Sequence, residues 1–137
     1  MNVMRIFCAT LLLFVITAGP TRASVADPVT QEDKIFLEAL KYAIASDDAA
    51  WVAAQIVFPL RVMIAGRLRW IRDQKDFISH YPEIINEKVR AAVEDQDPET
   101  LFKDWHGLMA GNGNVWFGRF SDDDGKTFRY YIFGINN

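Results

Sequence analysis

The chain holds two histidines, His80 and His106, and one lies two residues from a carboxylate. In Asp104-Trp105-His106 an extended backbone sends the Asp104 carboxylate and the His106 imidazole to the same side. That spacing suits an acid–base pair in which the carboxylate orients the ring. The plainer reading is a loop entering a strand. His80, beside Tyr81-Pro82, is either a pocket acid–base group or a helix-surface residue at a kink. Tyr81 and Tyr130 add hydroxyls to this set. These make Asp104, His106 and His80 the candidate catalytic residues, and nothing in the spacing selects a reaction. Asp122-Asp123-Asp124-Gly125 gathers carboxylates but lacks the alternating ligands and distal glutamate of a calcium loop. It reads as a solvated hairpin turn. No His-x3-His or paired-cysteine spacing calls for a metal. No Gly-x-Ser-x-Gly, phosphate loop or dinucleotide fingerprint calls for a nucleophile or a cofactor. Trp70, Tyr81, Trp105, Trp116 and Tyr130 are candidates to line an apolar pocket or interface, although most aromatics of a small domain go to its core.

The elements that position these groups follow from periodicity and punctuation. Thr30 caps a helix with Asp33 at its third position, and Phe36, Leu37, Leu40 and Ile44 recur at helical spacing. Ser46-Asp47 restarts the chain as a second cap, ahead of a helix carrying Trp51, Ala54, Ile56 and Phe58 that Pro59 ends. Leu60 to Ile64 alternates as a half-buried strand, turns at Ala65-Gly66, and returns through Arg67 to Ile71. Asp73 caps a longer helix (Phe77, Ile78, Tyr81, Ile84, Ile85, Val89, Val93), which Pro82 kinks or splits near His80-Tyr81. Asp97-Pro98 opens a short turn over Glu99 to Asp104. Two apolar strands then flank Gly111-Asn112-Gly113, since glycine and asparagine supply the positive φ of a tight hairpin. A second hairpin through Asp122 to Gly125 leads into the last strand. That strand sets Phe128, Tyr130 and Ile132 on one face and Tyr131, Phe133 and Ile135 on the other. Apolar side chains on both faces call for cover on both, and the helices cover one.

The first residues have their own logic. Arg5 precedes an uncharged apolar run from Ile6 to Ala18, broken by Gly19-Pro20, about the length of a signal-peptide core and short for a membrane span. The expectation is a signal peptide over residues 1–23, cut after Ala23 or Ala26, and a periplasmic or secreted protein without a stable membrane span. Loss of Arg5 and Arg22 leaves 13 basic against 18 acidic residues, a balance that argues against nucleic acid as partner. The single cysteine, Cys8, goes with the leader, so the remaining domain relies on its core instead of a disulfide.

Phe58-Pro59-Leu60, Phe77-x3-Tyr81-x2-Ile84, Leu101-Phe102, Gly107-Leu108-Met109, Gly113-Asn114-Val115-Trp116-Phe117 and Ile135-Asn136, in this order of elements, resemble the NTF2-like (SnoaL/cystatin-like) domains. The likeness is greatest to small secreted bacterial members of uncharacterised function, and it spans residues 30–137. Pro82 departs from the continuous helix of that family. The resemblance implies an α+β fold in which helices pack on a strongly curved antiparallel sheet, in the order α-α-β-β-α-β-β-β. It also implies a conical pocket and frequent dimers, in a superfamily of isomerases, dehydratases and non-catalytic binding modules. The leading expectation is a non-catalytic module for a small apolar ligand or a protein partner, with a homodimer through the outer sheet face. The alternatives are a small acid–base isomerase or hydrolase, and a periplasmic inhibitor or immunity protein whose acidic surface meets a basic enzyme.

Overall fold

A computed structural model describes residues 27–137; the signal-peptide reading of residues 1–23 lies outside the described residues. Helix α1 (Gln31–Ala45) opens on a capping box. The Asp33 amide donates to Thr30 Oγ1 at 3.2 Å, and the Thr30 amide donates to Asp33 Oδ2 at 2.8 Å, so two otherwise orphaned donors are satisfied reciprocally. Its buried face is the expected stripe of Phe36, Leu37, Leu40, Ala43 and Ile44. Helix α2 (Ala49–Ala54) is capped by Asp48, not by Ser46-Asp47. Ser46 instead closes α1, its hydroxyl donating to the Tyr42 carbonyl at 2.8 Å, and Asp47 reverses the chain at φ 55. Asp48 is therefore the first carboxylate placed to accept from Trp51, at 2.9 Å. The helix also ends earlier than Pro59 requires, and Ile56 pairs with Ile132 as an isolated parallel bridge.

Strands β1 (Leu60–Ile64) and β2 (Arg67–Ile71) form the expected hairpin. Its turn residues Ala65 and Gly66 both take positive φ, the twist-matched geometry of two-residue hairpin loops. The region after it is not one kinked helix but three short ones: α3 (Gln74–Ser79), α4 (Tyr81–Ile84) and α5 (Glu87–Glu94). Pro82 accounts for the first break, since it lacks the amide the helix would need. The second falls at Asn86, whose side chain accepts from the Val89 amide at 3.1 Å and starts α5 afresh.

A 3-10 turn (Pro98–Thr100) leads into a strand where a turn was expected, β3 (Phe102–Asp104). It is followed by β4 (Gly107–Ala110), β5 (Val115–Ser121) and β6 (Phe128–Ile135), all antiparallel in the spatial order β3-β4-β5-β6. The architecture is α+β. The chain order nevertheless differs from α-α-β-β-α-β-β-β by two extra helices and a fourth late strand, and the strands fall into a two-stranded and a four-stranded sheet.

One face of the larger sheet meets the helices. Leu108, Ala110, Val115, Phe117, Ile132 and Ile135 are buried there. Ile135 was expected on the opposite face. A register shift opposite the Trp116–Phe117 step pairs Phe117 with Ile132 but Trp116 with Gly134. Phe133 is the extra residue, and the bulge turns Ile135 inward beside Val115. Phe36 bridges the layers, 4.8 Å from the Tyr130 ring and 5.1 Å from that of Phe117. No helix among the described residues is long and apolar enough to cross a membrane.

Candidate functional site

The first turn of α1 meets the inner face of the larger sheet at a buried carboxylate. Asp33 is only 2 % exposed, and its two oxygens serve three donors. Oδ1 accepts from the Tyr130 hydroxyl at 2.7 Å. Oδ2 accepts from Lys103 Nζ at 2.9 Å as well as from the Thr30 amide. Burial by itself raises a carboxyl pKa. Here the hydrogen bonds from Lys103, the Thr30 backbone and Tyr130 outweigh it and hold Asp33 below the ordinary aspartate value. The same burial, reinforced by the Asp33 charge, pushes the Tyr130 hydroxyl up to about 12. A proton carrier works best with a pKa near the operating pH, and these two groups are driven in opposite directions away from it. The arrangement is a clasp between helix and sheet.

A cleft of about 250 Å³ opens beside the clasp, lined by Asp33, Lys103, Arg119 and the Asp104–His106 segment among others. It exists because β4 pairs with β5 only as far as Leu108↔Phe117, so the continuation Gly118 to Phe120 runs on without that neighbour. Asp104-Trp105-His106-Gly107 proves to be the β3–β4 hairpin turn, with Asp104 opposite Gly107, and not extended chain. The Asp104 carboxylate accepts from the His106 amide at 2.8 Å and meets His106 Nδ1 at 3.0 Å. The bond to the His106 side chain, ahead of the turn amides, lowers the Asp104 pKa. The expected carboxylate–imidazole contact therefore forms, by turn geometry. Trp105 is the most exposed large apolar side chain among the described residues, at 84 %, with its ring 3.4 Å from that of His106.

The other candidates lie elsewhere. His80 closes α3, its Nδ1 2.9 Å from the Asp76 carbonyl and 3.0 Å from Ser79 Oγ. Tyr81 is buried, its ring 5.8 Å from that of Phe77 and also 5.8 Å from the Arg90 guanidinium carbon. Its hydroxyl finds no hydrogen-bond partner among the described residues, and burial raises its pKa. Trp70 stands exposed on β2. Trp116 lies on the outer face of the larger sheet, where it joins His106 and Phe133 around a second hollow of about 240 Å³. Thus the chain brings together Tyr130 with Asp33 and Lys103, and Asp104 with His106, while His80, Tyr81 and Trp70 are dispersed.

Glycines shape that outer face. A Cβ on Gly107 would lie 2.9 Å from the Phe133 ring, one on Gly118 3.1 Å from Phe120, and one on Gly134 3.3 Å from Trp116. Each ring rests on a glycine, leaving an aromatic surface with no helix over it among the described residues. In the turn after β5 the carboxylates are used locally. Asp122 accepts from Tyr131 and Arg129, and Asp123 from Ser121, Lys126 and Thr127. No three His, Cys, Asp or Glu side chains converge as a metal-donor set among the described residues. From the sequence Asp33 reads only as a helix cap, and Lys103 falls unremarked within the turn expected over Glu99 to Asp104. Compared with family models, curated proteins and solved structures, the chain gives no match.

Proposed function

We propose that the chain is an exported, non-catalytic NTF2-like binding module that pairs with a second copy of itself through the outer face of its larger sheet. The carrying observation is that face. Phe102 and Phe120 are 48 % and 44 % exposed among the described residues, on the same face as Trp116 and Phe133. A two-fold interface presents the same patch on both subunits, and clustered exposed aromatics, unlike scattered single apolars, mark association surfaces. Support for the cone-like sheet comes from the seam between the two sheets. Ile132 accepts from the Val57 amide at 2.9 Å and donates to the Gln55 carbonyl at 2.8 Å. Asn137 reaches both the amide and the carbonyl of Met63, at 3.1 Å and 2.6 Å. These bonds, with the isolated Ile56↔Ile132 bridge, tie the segment before β1 and the residue after β6 across the seam between the two separately paired sheets. The cleft by Asp33 is the place for a small ligand in this reading. The displaced pKa values of Asp33 and Tyr130 favour binding there over proton transfer.

Light scattering on the eluting protein tests the pairing. The wild type is expected at twice its monomer mass. Phe120→Glu combined with Phe102→Glu, both surface changes, is expected to elute as a monomer with an unchanged circular dichroism spectrum. A wild type that stays monomeric at the highest soluble concentration overturns the self-association.

A further inference from the structure

The cations of this chain are unevenly matched. Among the described residues Lys34, Lys41, Arg72, Arg90, Lys103 and Arg129 each lie within ion-pair distance of a carboxylate. Of the others, Lys88, Arg119 and Lys126 stand singly on α5, on β5 and in the turn after β5, whereas Arg61, Arg67, Arg69 and Lys75 are gathered on the β1–β2 ribbon and the first turn of α3 that follows it. The whole chain has 18 acidic residues against 15 basic ones, so carboxylates are not scarce. The two nearest in sequence are already engaged. Asp73 caps α3 by accepting from the Asp76 amide at 2.8 Å, and Asp76 accepts from the Arg72 amide at 3.1 Å. A chain that is acidic as a whole therefore keeps one strongly basic projection.

The ribbon is apolar as well as basic. Its register sets Arg61 opposite Trp70 and Met63 opposite Leu68, so these four side chains share one face. Met63, Leu68 and Trp70 are 42 %, 58 % and 57 % exposed. The opposite face begins with buried Leu60, Val62 and Ile71, yet Arg67 and Arg69 on that same face are exposed. The distal half of the ribbon thus extends past the edge of the core, with Ala65-Gly66 at its tip. Arginines along an outer strand can serve simply to block edge-to-edge pairing. That role explains Arg67 and Arg69 but not three large apolar side chains turned to water on the other face of the same ribbon.

We propose that the β1–β2 ribbon docks the protein on an anionic lipid surface. Met63, Leu68 and Trp70 enter the boundary between headgroups and acyl chains, where indole rings are preferentially accommodated. Arg61 lies on that same face, while Arg67 and Arg69 reach past the edge of the narrow ribbon from its opposite face, their long stems carrying the guanidinium groups to lipid phosphates. Arg72 and Lys75 add charge at the base of the ribbon. A single-stranded nucleic acid would also meet arginines and a stacking indole, but aliphatic Leu68 and Met63 beside the tip fit a lipid boundary better than a base.

Vesicle co-sedimentation of the full chain tests this, with phosphatidylglycerol-containing vesicles against pure phosphatidylcholine. Its N-terminal apolar run is the same in every variant, so differences between variants report the ribbon. The wild type is expected to favour the anionic vesicles and to lose that preference in high salt. Each surface cation contributes about fivefold to partitioning, so R67Q/R69Q is expected to weaken it about 25-fold. In vesicles of brominated lipid the tryptophan fluorescence is expected to be quenched, and Trp70→Phe to abolish most of that quenching while leaving the vesicle preference in place. Equal partitioning of R67Q/R69Q and wild type overturns the proposal, as does quenching that survives Trp70→Phe. Binding of single-stranded poly(U) with no binding to anionic vesicles overturns it in favour of nucleic acid.

Discussion

Replacing Asp33 with alanine is expected to lower the stability of the domain by about 3–5 kcal/mol, the range for breaking a buried ion pair from one side. The carboxylate is buried, and its removal strands three donors at once: the Lys103 ammonium, the Tyr130 hydroxyl and the Thr30 amide. Asp33→Asn is no remedy, because its amide nitrogen would face donors on a side that now accepts. Tyr130→Phe removes only one neutral donor and is expected to cost about 1–2 kcal/mol. The pH dependence separates the charge from the packing. Asp33 has a lowered pKa when folded, so its contribution is complete above the unfolded value of about 4 and is lost as pH falls through the folded value. Urea unfolding should therefore show a wide gap between wild type and Asp33→Asn at neutral pH, and a narrower one in acid. Tyr130 behaves with the opposite sign. Its hydroxyl is raised to about 12, so its contribution holds below about pH 10 and fades as pH climbs toward the folded value. A gap between wild type and Asp33→Asn that stays constant from neutral to acid pH would show that the clasp works by shape alone.

That clasp marks where local reasoning stops. Thr30 and Asp33 are three residues apart, and their capping box was legible because capping is a local pattern. The other two partners of Asp33 lie 70 and 97 residues along the chain, and no spacing rule connects them. Tyr130 was picked out as a binding residue, but only as one aromatic among several. The same distinction runs through the fold. The hairpin at Ala65-Gly66, the caps at Asp73 and Asp97, and the break at Pro82 each follow from residues that fix their own backbone. Strand β3 does not: Phe102-Lys103-Asp104 has too few residues to show alternation, and only its pairing with β4 makes it a strand. Asp104-Trp105-His106 then becomes a turn as a consequence. The inward turn of Ile135 depends on one extra residue, Phe133, in the facing register, and strict alternation assigns it to the wrong side. Arg61, Arg67 and Arg69 stand close together in sequence, but only the fold shows that they lack carboxylate partners.

Gly111→Ala carries the second large effect, expected at about 2–6 kcal/mol from two separable sources. Gly111 has φ 65, a left-handed conformation that costs a residue with a Cβ about 1–3 kcal/mol. An alanine there would also place its Cβ 2.7 Å from Asn114 Oδ1 and 2.8 Å from the Ala92 Cβ, and overpacking costs about another 1–3 kcal/mol. Neither neighbour is free to move aside. Ala92 is part of α5, and the Gly111 amide is itself held by Gln96 Oε1 at 2.9 Å. Asn114 is fixed through its side-chain amide to the Asn136 carbonyl at 3.1 Å, while the Asn136 amide returns to the Asn114 carbonyl at 2.8 Å. The turn thus ties the end of the sheet to the helix beside it and to the last residues of the chain. Gly125 provides the comparison, since it has φ 85 and nothing within 4 Å of its added Cβ. Gly125→Ala should show the backbone cost alone, so denaturant unfolding of the two variants isolates the crowding as their difference. Combining Gly111→Ala with Ala92→Gly should recover part of that difference beyond what the single changes add up to, because the contact they share is then absent. Equal losses for Gly111→Ala and Gly125→Ala would mean that the turn needs glycine for its backbone only, and that α5 can yield to it.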